Sequence, residues 1–101
     1  MDALDVLNDP TRRRIVEVLA AGERSVSDVA ARFDVSRPAI SQHLAVLLDG
    51  GVLHVRTVGR SRLYRLNLAA LNDANDWLSG QTDRWERVLN ALETALDDGT
   101  A

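Results

Sequence analysis

Two helix-start signals lie close together in the first half of the chain, and each is followed by apolar residues at helical spacing. Ser25 can accept a hydrogen bond from a first-turn N–H, and Asp28 stands three residues on, where a capping box usually has Glu. Ser36 offers the second cap. Pro38 follows in the first turn, where a backbone N–H has no intrahelical acceptor, so proline loses no hydrogen bond there. The pair Gly50–Gly51 ends the second pattern. The segment from about residue 25 to residue 50 is therefore predicted to form two short helices joined by a turn.

The second of these helices has an apolar side and a polar side. With 3.6 residues per turn, the apolar side holds Ile40, Leu44, Leu47 and Leu48. The other side holds Pro38, Ser41, Gln42 and Ala45. An apolar side alone builds only a core, so the polar cluster at the start of the helix indicates a surface that reads DNA, as in a helix-turn-helix.

The side chains of this cluster match the chemistry of base edges and phosphates. In the major groove Arg bonds guanine twice, Gln bonds adenine twice, and Ser bonds several bases or a phosphate. Arg37 and Gln42 are the base-reading candidates, with Ser41 beside them and Pro38 on the same turn. Ser36 and the free first-turn N–H groups would hold a phosphate. The alternative is that Ser36 is only a cap and that the others are only solvated.

A basic hairpin is predicted from about residue 52 to residue 66. The segments 52–58 and 62–66 are rich in β-branched, aromatic and aliphatic residues, and Gly59, Arg60 and Ser61 supply the turn. The hairpin carries Arg56, Arg60, Arg62 and Arg65 without one carboxylate. We expect Arg56, Arg60 and Arg62 to contact DNA, along the phosphates or, for Arg60, in the minor groove. A merely solvated hairpin is the alternative.

A long C-terminal helix is predicted over about residues 68–97, with Asn67 as its cap. Its apolar residues recur at near-heptad spacing, at Leu71, Ala74, Leu78, Trp85, Val88, Leu92 and Leu96. This spacing suits a partner helix. We therefore predict a homodimer whose interface contains Leu4, Leu71, Leu78, Trp85, Val88 and Leu92. Ser79 and Gly80 interrupt the stripe, so the helix is either kinked or divided there, and packing within one subunit is the alternative.

Two further helices are expected near the N-terminus. Asp9 caps a helix that opens with Pro10 and closes at Gly22, and an amphipathic segment over residues 3–7 precedes it. The arginines at 12–14 are expected to form a solvated face. The predicted fold is mainly α with a small β-hairpin, in a single domain over residues 1–101.

Composition and charge narrow the function. The net charge is −3, but residues 1–68 hold ten Arg against eight acids, whereas residues 69–101 hold two Arg against seven, so the acidity lies in the tail. The chain has no cysteine, no apolar run long enough for a membrane span and no secretory signal, so we expect a cytoplasmic protein. Without a cysteine nucleophile, a glycine-rich phosphate loop or a His with a suitable partner, no catalytic site is expected.

Three segments resemble one known family. They read DPTRRRIVEVL, SVSDVAARFDVSRPAISQHLAVL and GGVLHVRTVGRSRLYRL. Together they are similar to the winged helix-turn-helix regulators of the ArsR type, from about Asp9 to Leu66. The SxxxxSxHLxxL spacing is specific, with its positions filled by Ser36, Ser41, His43, Leu44 and Leu47. The resemblance implies a homodimeric repressor on double-stranded operator DNA, often released by a ligand. It carries DNA contacts to Ser36, Arg37, Ser41, Gln42, Arg60 and Arg62.

The departures from the family concern its metal sites. Its metal sensors carry CxC where this chain has Ser25 and Ser27, and a neutral hydroxyl cannot replace a soft thiolate. A second family site would begin at Asp73 and Asn75, but Glu86 and Leu89 stand where His and an acid are expected. His43 and His54 lie outside that helix. We therefore expect no metal and no cofactor. An unidentified non-metal effector, and a winged helix that binds protein instead of DNA, stay open as alternatives.

Overall fold

The computed structural model describes residues 2–79 and 86–99. The helices are α1 (Ala3–Val6), α2 (Pro10–Ala20), α3 (Val26–Ala30), α4 (Arg37–Asp49), α5 (Leu68–Leu78) and α6 (Glu86–Gly99). The strands are β1 (Arg24–Ser25), β2 (Leu53–Val58) and β3 (Ser61–Leu66). The predicted mainly α fold with a small hairpin is confirmed. No helix within these two ranges is long and apolar enough to cross a lipid bilayer.

The four predicted helix caps are all present. Each cap residue accepts a hydrogen bond from the backbone N–H three residues on, at 3.0 Å for Asp9, 3.2 Å for Ser25, 3.3 Å for Ser36 and 3.3 Å for Asn67. The amide of Asn67 also donates to the carbonyl of Gly51 at 2.9 Å. Asn67 therefore joins the end of the helix-turn-helix to the start of α5, in addition to satisfying a first-turn donor.

Helix α3 is shorter than the apolar pattern indicates. It ends at Ala30, although the sequence pattern continues to Phe33. The N–H groups of Arg32 and Phe33 bond to the carbonyls three residues back, so the chain leaves the α-helix through tighter turns. Phe33 stays in place by packing on the core, with the guanidinium carbon of Arg14 4.8 Å from its ring centroid.

The hairpin is part of a three-stranded antiparallel sheet in the order β1-β3-β2. A two-residue turn of Gly59 and Arg60 joins Val58 to Ser61, and Gly59 has φ +59°, which favours glycine. Strand β1 was not predicted, because two residues carry no readable periodicity. It pairs Arg24 with Tyr64, and so ties the hairpin to the start of α3.

The buried side of α4 anchors that helix in the core. Ile40, Leu44 and Leu47 are fully buried, as the 3.6-residue period predicts, and each contributes about 1.5–3 kcal/mol relative to exposure.

Two arginines of α2 also support the core from its edge. Arg12 donates to the carbonyl of Val6 at 2.6 Å and Arg13 to that of Leu7 at 3.0 Å, so they hold the end of α1 and are not simply solvated.

The C-terminal apolar stripe packs within its own chain. Helix α6 lies against α2 and α5. The stripe residues at Leu71, Leu78, Val88 and Leu92 are between 0% and 2% exposed in the single chain. The structure therefore differs from the expectation that these four face a partner, because α6 folds back and buries them. Leu4 is half-buried against the same core, and Trp85 lies outside the described residues. Helix α5 ends at Leu78, so the predicted stretch 68–97 forms two helices.

Burial of Leu92 predicts a loss of folding stability when its side chain is truncated. We expect Leu92→Ala to lower the free energy of unfolding by about 2–5 kcal/mol, because it leaves a cavity between α6 and the helices it packs on. Urea denaturation measures this, with the exposed neighbour Glu93→Ala as the control, expected within about 0.5 kcal/mol of the parent. A Leu92→Ala variant as stable as the control would contradict this burial.

Candidate nucleic-acid interface

The outer side of α4 presents the predicted DNA-reading residues to solvent. Because Ile40 and Leu44 point into the core, the opposite side of the helix faces outward. Ser36, Arg37, Pro38, Ser41 and Gln42 are all exposed. The Ser36 hydroxyl accepts from the Ala39 N–H and therefore caps α4, yet its own proton stays available to a phosphate oxygen.

The tip of the hairpin lies beside the start of α4. Arg37, Arg60 and Arg62 line one cleft of about 230 Å³ together with residues 25–27 and Ser61. We call this the arginine cleft. The guanidinium carbon of Arg62 also lies 5.7 Å from the ring centroid of Tyr64, a buried residue of β3. The sequence predicted a DNA contact for each of these arginines on its own element. The fold brings all three to one cleft.

The base of the hairpin, where Arg56 and Arg65 lie, differs from the tip because a carboxylate is close to both arginines. Arg56 forms a bidentate ion pair with Glu23, with its Nη2 2.6 Å from Oε1 and its Nε 2.9 Å from Oε2. Nη1 of Arg65 lies 3.9 Å from the same Oε2. Arg56 thus differs from Arg60 and Arg62 in having a carboxylate beside its guanidinium, while its side chain stays 58% exposed. Within the described residues, Arg60 and Arg62 form no ion pair.

Comparison with known proteins places the fold among helix-turn-helix regulators. Residues 7–56 match the family described as the helix-turn-helix domain. The transcriptional repressor SdpR of Bacillus subtilis is 36% identical over 72 residues, which cover 71% of this chain and 80% of that protein. A crystal structure of a possible transcriptional regulator for arsenical resistance is 44% identical, with a TM-score of 0.71, covering 89% of this chain and 95% of the other.

A further solved structure gives the family by name. It is a homodimeric winged helix-turn-helix DNA-binding domain of Mycobacterium bovis, described as a possible ArsR-family transcriptional regulator. It is 27% identical, with a TM-score of 0.60, and the match covers 79% of this chain and 82% of the other. This chain belongs to the ArsR family. ArsR-family proteins are DNA-binding regulators and not enzymes, so the exposed face of α4 belongs to a DNA-binding fold.

The two histidines of this ArsR-family chain lie on different elements and in different environments. His43 is half-buried on α4, and its Nδ1 lies 3.5 Å from Nη1 of Arg12 on α2, so it contributes to the contact between these helices. His54 is exposed on β2. Across residues 2–79 and 86–99, no group of three or more His, Cys, Asp or Glu side chains comes together in a way that could hold a metal ion.

Sequence reasoning missed Glu23, which lies in the connection between α2 and β1. Nothing in the local pattern connects it with Arg56, which follows 33 residues later. The hydrogen bonds from Arg56 lower the pKa of the Glu23 carboxyl below its usual 4.5, and the carboxylate in turn raises the pKa of Arg56. Glu23 precedes β1 and Arg56 lies on β2, so the pairing of both strands with β3 brings these groups together, and no local sequence pattern indicates the contact.

The lowered pKa of Glu23 predicts a pH dependence of stability. A carboxyl whose pKa is depressed on folding stabilises the native state above its unfolded pKa, and this contribution is lost as the pH falls through the folded pKa. We expect Glu23→Gln to lower the urea midpoint at neutral pH, and the difference from the parent to vanish in acid below the lowered pKa. Glu17→Gln is the control, since Glu17 is exposed and forms no ion pair within the described residues. A difference between parent and Glu23→Gln that does not change with pH would exclude this linkage.

Proposed function

We propose that the protein is a homodimeric transcriptional repressor that binds a nearly palindromic operator through α4 and the tip of the hairpin. The observation that carries this proposal is the exposed polar side of α4 next to the arginine cleft. Its membership of the ArsR family makes it a DNA-binding regulator.

The exposed side chains divide into two kinds of contact. Arg37 and Gln42 read base edges, with Ser41 beside them, because their donors and acceptors match guanine and adenine in the major groove. Ser36 and the first-turn N–H groups around Pro38 hold a phosphate. Arg60 and Arg62 at the hairpin tip contact the DNA phosphate backbone. This role is favoured because, among the described residues, no carboxylate forms an ion pair with either of them. Arg56 contributes less to DNA affinity, because a contact with a phosphate would compete with its ion pair to Glu23.

Homodimerisation is supported by the Mycobacterium bovis structure, which is homodimeric. With four of the predicted interface residues buried inside one chain, the interface is assigned to the outer surface of α1 and α5. Leu4 is half-buried there and Trp77 is 52% exposed, so both keep apolar surface that a partner could cover. A two-fold dimer presents two equivalent α4 helices, and this is the reason to expect a palindromic site.

The alternative function is a winged helix that binds another protein through the same surface. The local charge favours DNA, because residues 36–65 contain five Arg and one Asp although the whole chain carries a net charge of −3. Two tip arginines without a compensating carboxylate suit a polyanion.

Selection of bound duplexes from a random pool tests DNA binding and symmetry together. We expect the selected duplexes to share a nearly palindromic site with half-sites about one helical turn, roughly 10 base pairs, apart. The mass of the protein in solution, measured by light scattering, should be that of a dimer. A monomer, or a selected site without dyad symmetry, would refute the dimeric arrangement, and failure to select any duplex would favour the protein-binding alternative.

Substitutions separate the two kinds of contact. Arg37→Ala and Gln42→Ala should each weaken operator binding by about 1–3 kcal/mol while random DNA binds almost unchanged, because a base contact matters only where its base is present. Arg60→Ala and Arg62→Ala should weaken operator and random DNA by similar factors and reduce the salt slope by about 0.9 for each lost phosphate contact. Fluorescence anisotropy at several salt concentrations measures both effects.

Arg65→Ala is the matched control for these variants. It removes the same charge from the same hairpin, but Arg65 lies near Glu23 and does not line the arginine cleft. Its effect on DNA affinity should be smaller than that of Arg62→Ala. Equal effects of the two variants would mean that net charge, and not the position of the tip arginines, determines binding.

We also propose that the repressor does not sense thiophilic metals or redox state. The chain has no cysteine, and Ser25 uses its hydroxyl to cap α3. Operator affinity should therefore be unchanged by micromolar zinc, cadmium, arsenite, oxidant or reductant in the same anisotropy assay. Release of the DNA by a stoichiometric amount of any of these agents would contradict this proposal.

A further inference from the structure

The arginine cleft has the size and composition of a site for a small anion. It is formed by the residues that open α3, by the first residue of α4 and by the hairpin tip. Its volume of about 230 Å³ is below the roughly 300–1,000 Å³ of pockets for drug-sized ligands. The cleft therefore suits one compact group rather than an extended molecule.

Every polar side chain that lines the cleft can donate a hydrogen bond. Arg37, Arg60 and Arg62 supply guanidinium groups, and Ser25, Ser27 and Ser61 supply hydroxyls. None of the residues that line it is acidic, and Glu23 instead pairs with Arg56 and lies 3.9 Å from Arg65. Among the residues that the structure describes, none of the three cleft arginines forms an ion pair. Like charges gathered without a counter-charge repel each other, so the arrangement gains free energy from an anion that accepts several hydrogen bonds.

The number of arginines favours a group with more than one negative charge. A backbone phosphate of DNA carries one negative charge, whereas a phosphate monoester carries about −1.5 to −2 at pH 7. Three guanidinium groups attract the second kind more strongly, and Arg is suited to bidentate binding of phosphate oxygens. The same cleft can thus hold a phosphate of the operator or a free phosphate.

We propose that the arginine cleft binds one phosphoryl group, and that free phosphate bound there competes with a backbone phosphate of the operator. The second half rests on the proposed DNA-binding function, whereas the first half does not. The protein would then respond to an anionic effector through residues at the DNA interface itself. Bound phosphate would neutralise the positive charge of the hairpin tip, and the tip would then attract the DNA backbone less strongly.

The first test uses the DNA-free protein and inorganic phosphate as the probe. Amide chemical shifts are followed during a phosphate titration at constant ionic strength, with chloride as the matched salt. We expect saturable shifts at Ser27, Arg37 and Ser61 with phosphate and none with chloride. Shifts that do not saturate, or that are equally large at Arg32, which lies outside the cleft, would overturn the proposal.

Two variants and a control locate the phosphate. Arg37→Gln and Arg62→Gln remove cleft donors from two different elements, and each should weaken phosphate binding at least about tenfold. Arg65→Gln removes the same charge from β3 without lining the cleft, and it should bind phosphate within about twofold of the parent. Unchanged binding by both cleft variants would assign the phosphate to another place and overturn the proposal.

The second test measures operator binding with added phosphate or with chloride of equal ionic strength. We expect phosphate to weaken the complex more than chloride does, and Arg62→Gln to reduce this difference. If phosphate saturates the cleft but displaces the operator no better than chloride, the competition is refuted and the anion site remains. If the protein selects an operator but phosphate does not saturate, the cleft proposal fails while the DNA-binding function stands. Saturation by phosphate without binding to any duplex would support the site and refute the function.

Discussion

The packing of the apolar side of α4 into the core is the interaction on which the rest of the site depends. Ile40, Leu44 and Leu47 are fully buried, and this fixes the rotation of the helix about its axis. Because the helix has only one such side, the polar side that begins at Arg37 must face solvent. Loss of this packing would change which side chains of α4 face solvent, even if α4 remained helical.

The small sheet positions the hairpin relative to α4. Strand β1 connects β3 to the start of α3, and the cap at Ser25 begins α3 directly after that strand. Glu23, one residue before β1, holds Arg56 at the base of the hairpin. The hairpin therefore has two regions of different electrostatic character: a base where arginines are compensated by a carboxylate, and a tip where Arg60 and Arg62 remain available to an anion.

The apolar stripe of the C-terminal helices is compatible with packing on a partner subunit and with packing inside one chain. A stripe at near-heptad spacing is suited to a partner helix, but it is equally suited to a neighbouring helix of the same chain. In this structure α6 packs on α2 and α5, so Leu71, Val88 and Leu92 become part of the core. On α5, Trp77 remains 52% exposed.

The sequence by itself determined the local features, because caps, apolar period and turn residues act over a few neighbouring residues. It predicted the four N-caps, the buried and exposed sides of α4, and the Gly59 turn, and these are present. Only the tertiary structure decided the pairing of Glu23 with Arg56, the two-residue strand β1, the meeting of Arg37 with the hairpin tip and the partner of the C-terminal stripe. These features join residues far apart in the chain, and neither periodicity nor residue type specifies which distant groups meet when the core closes.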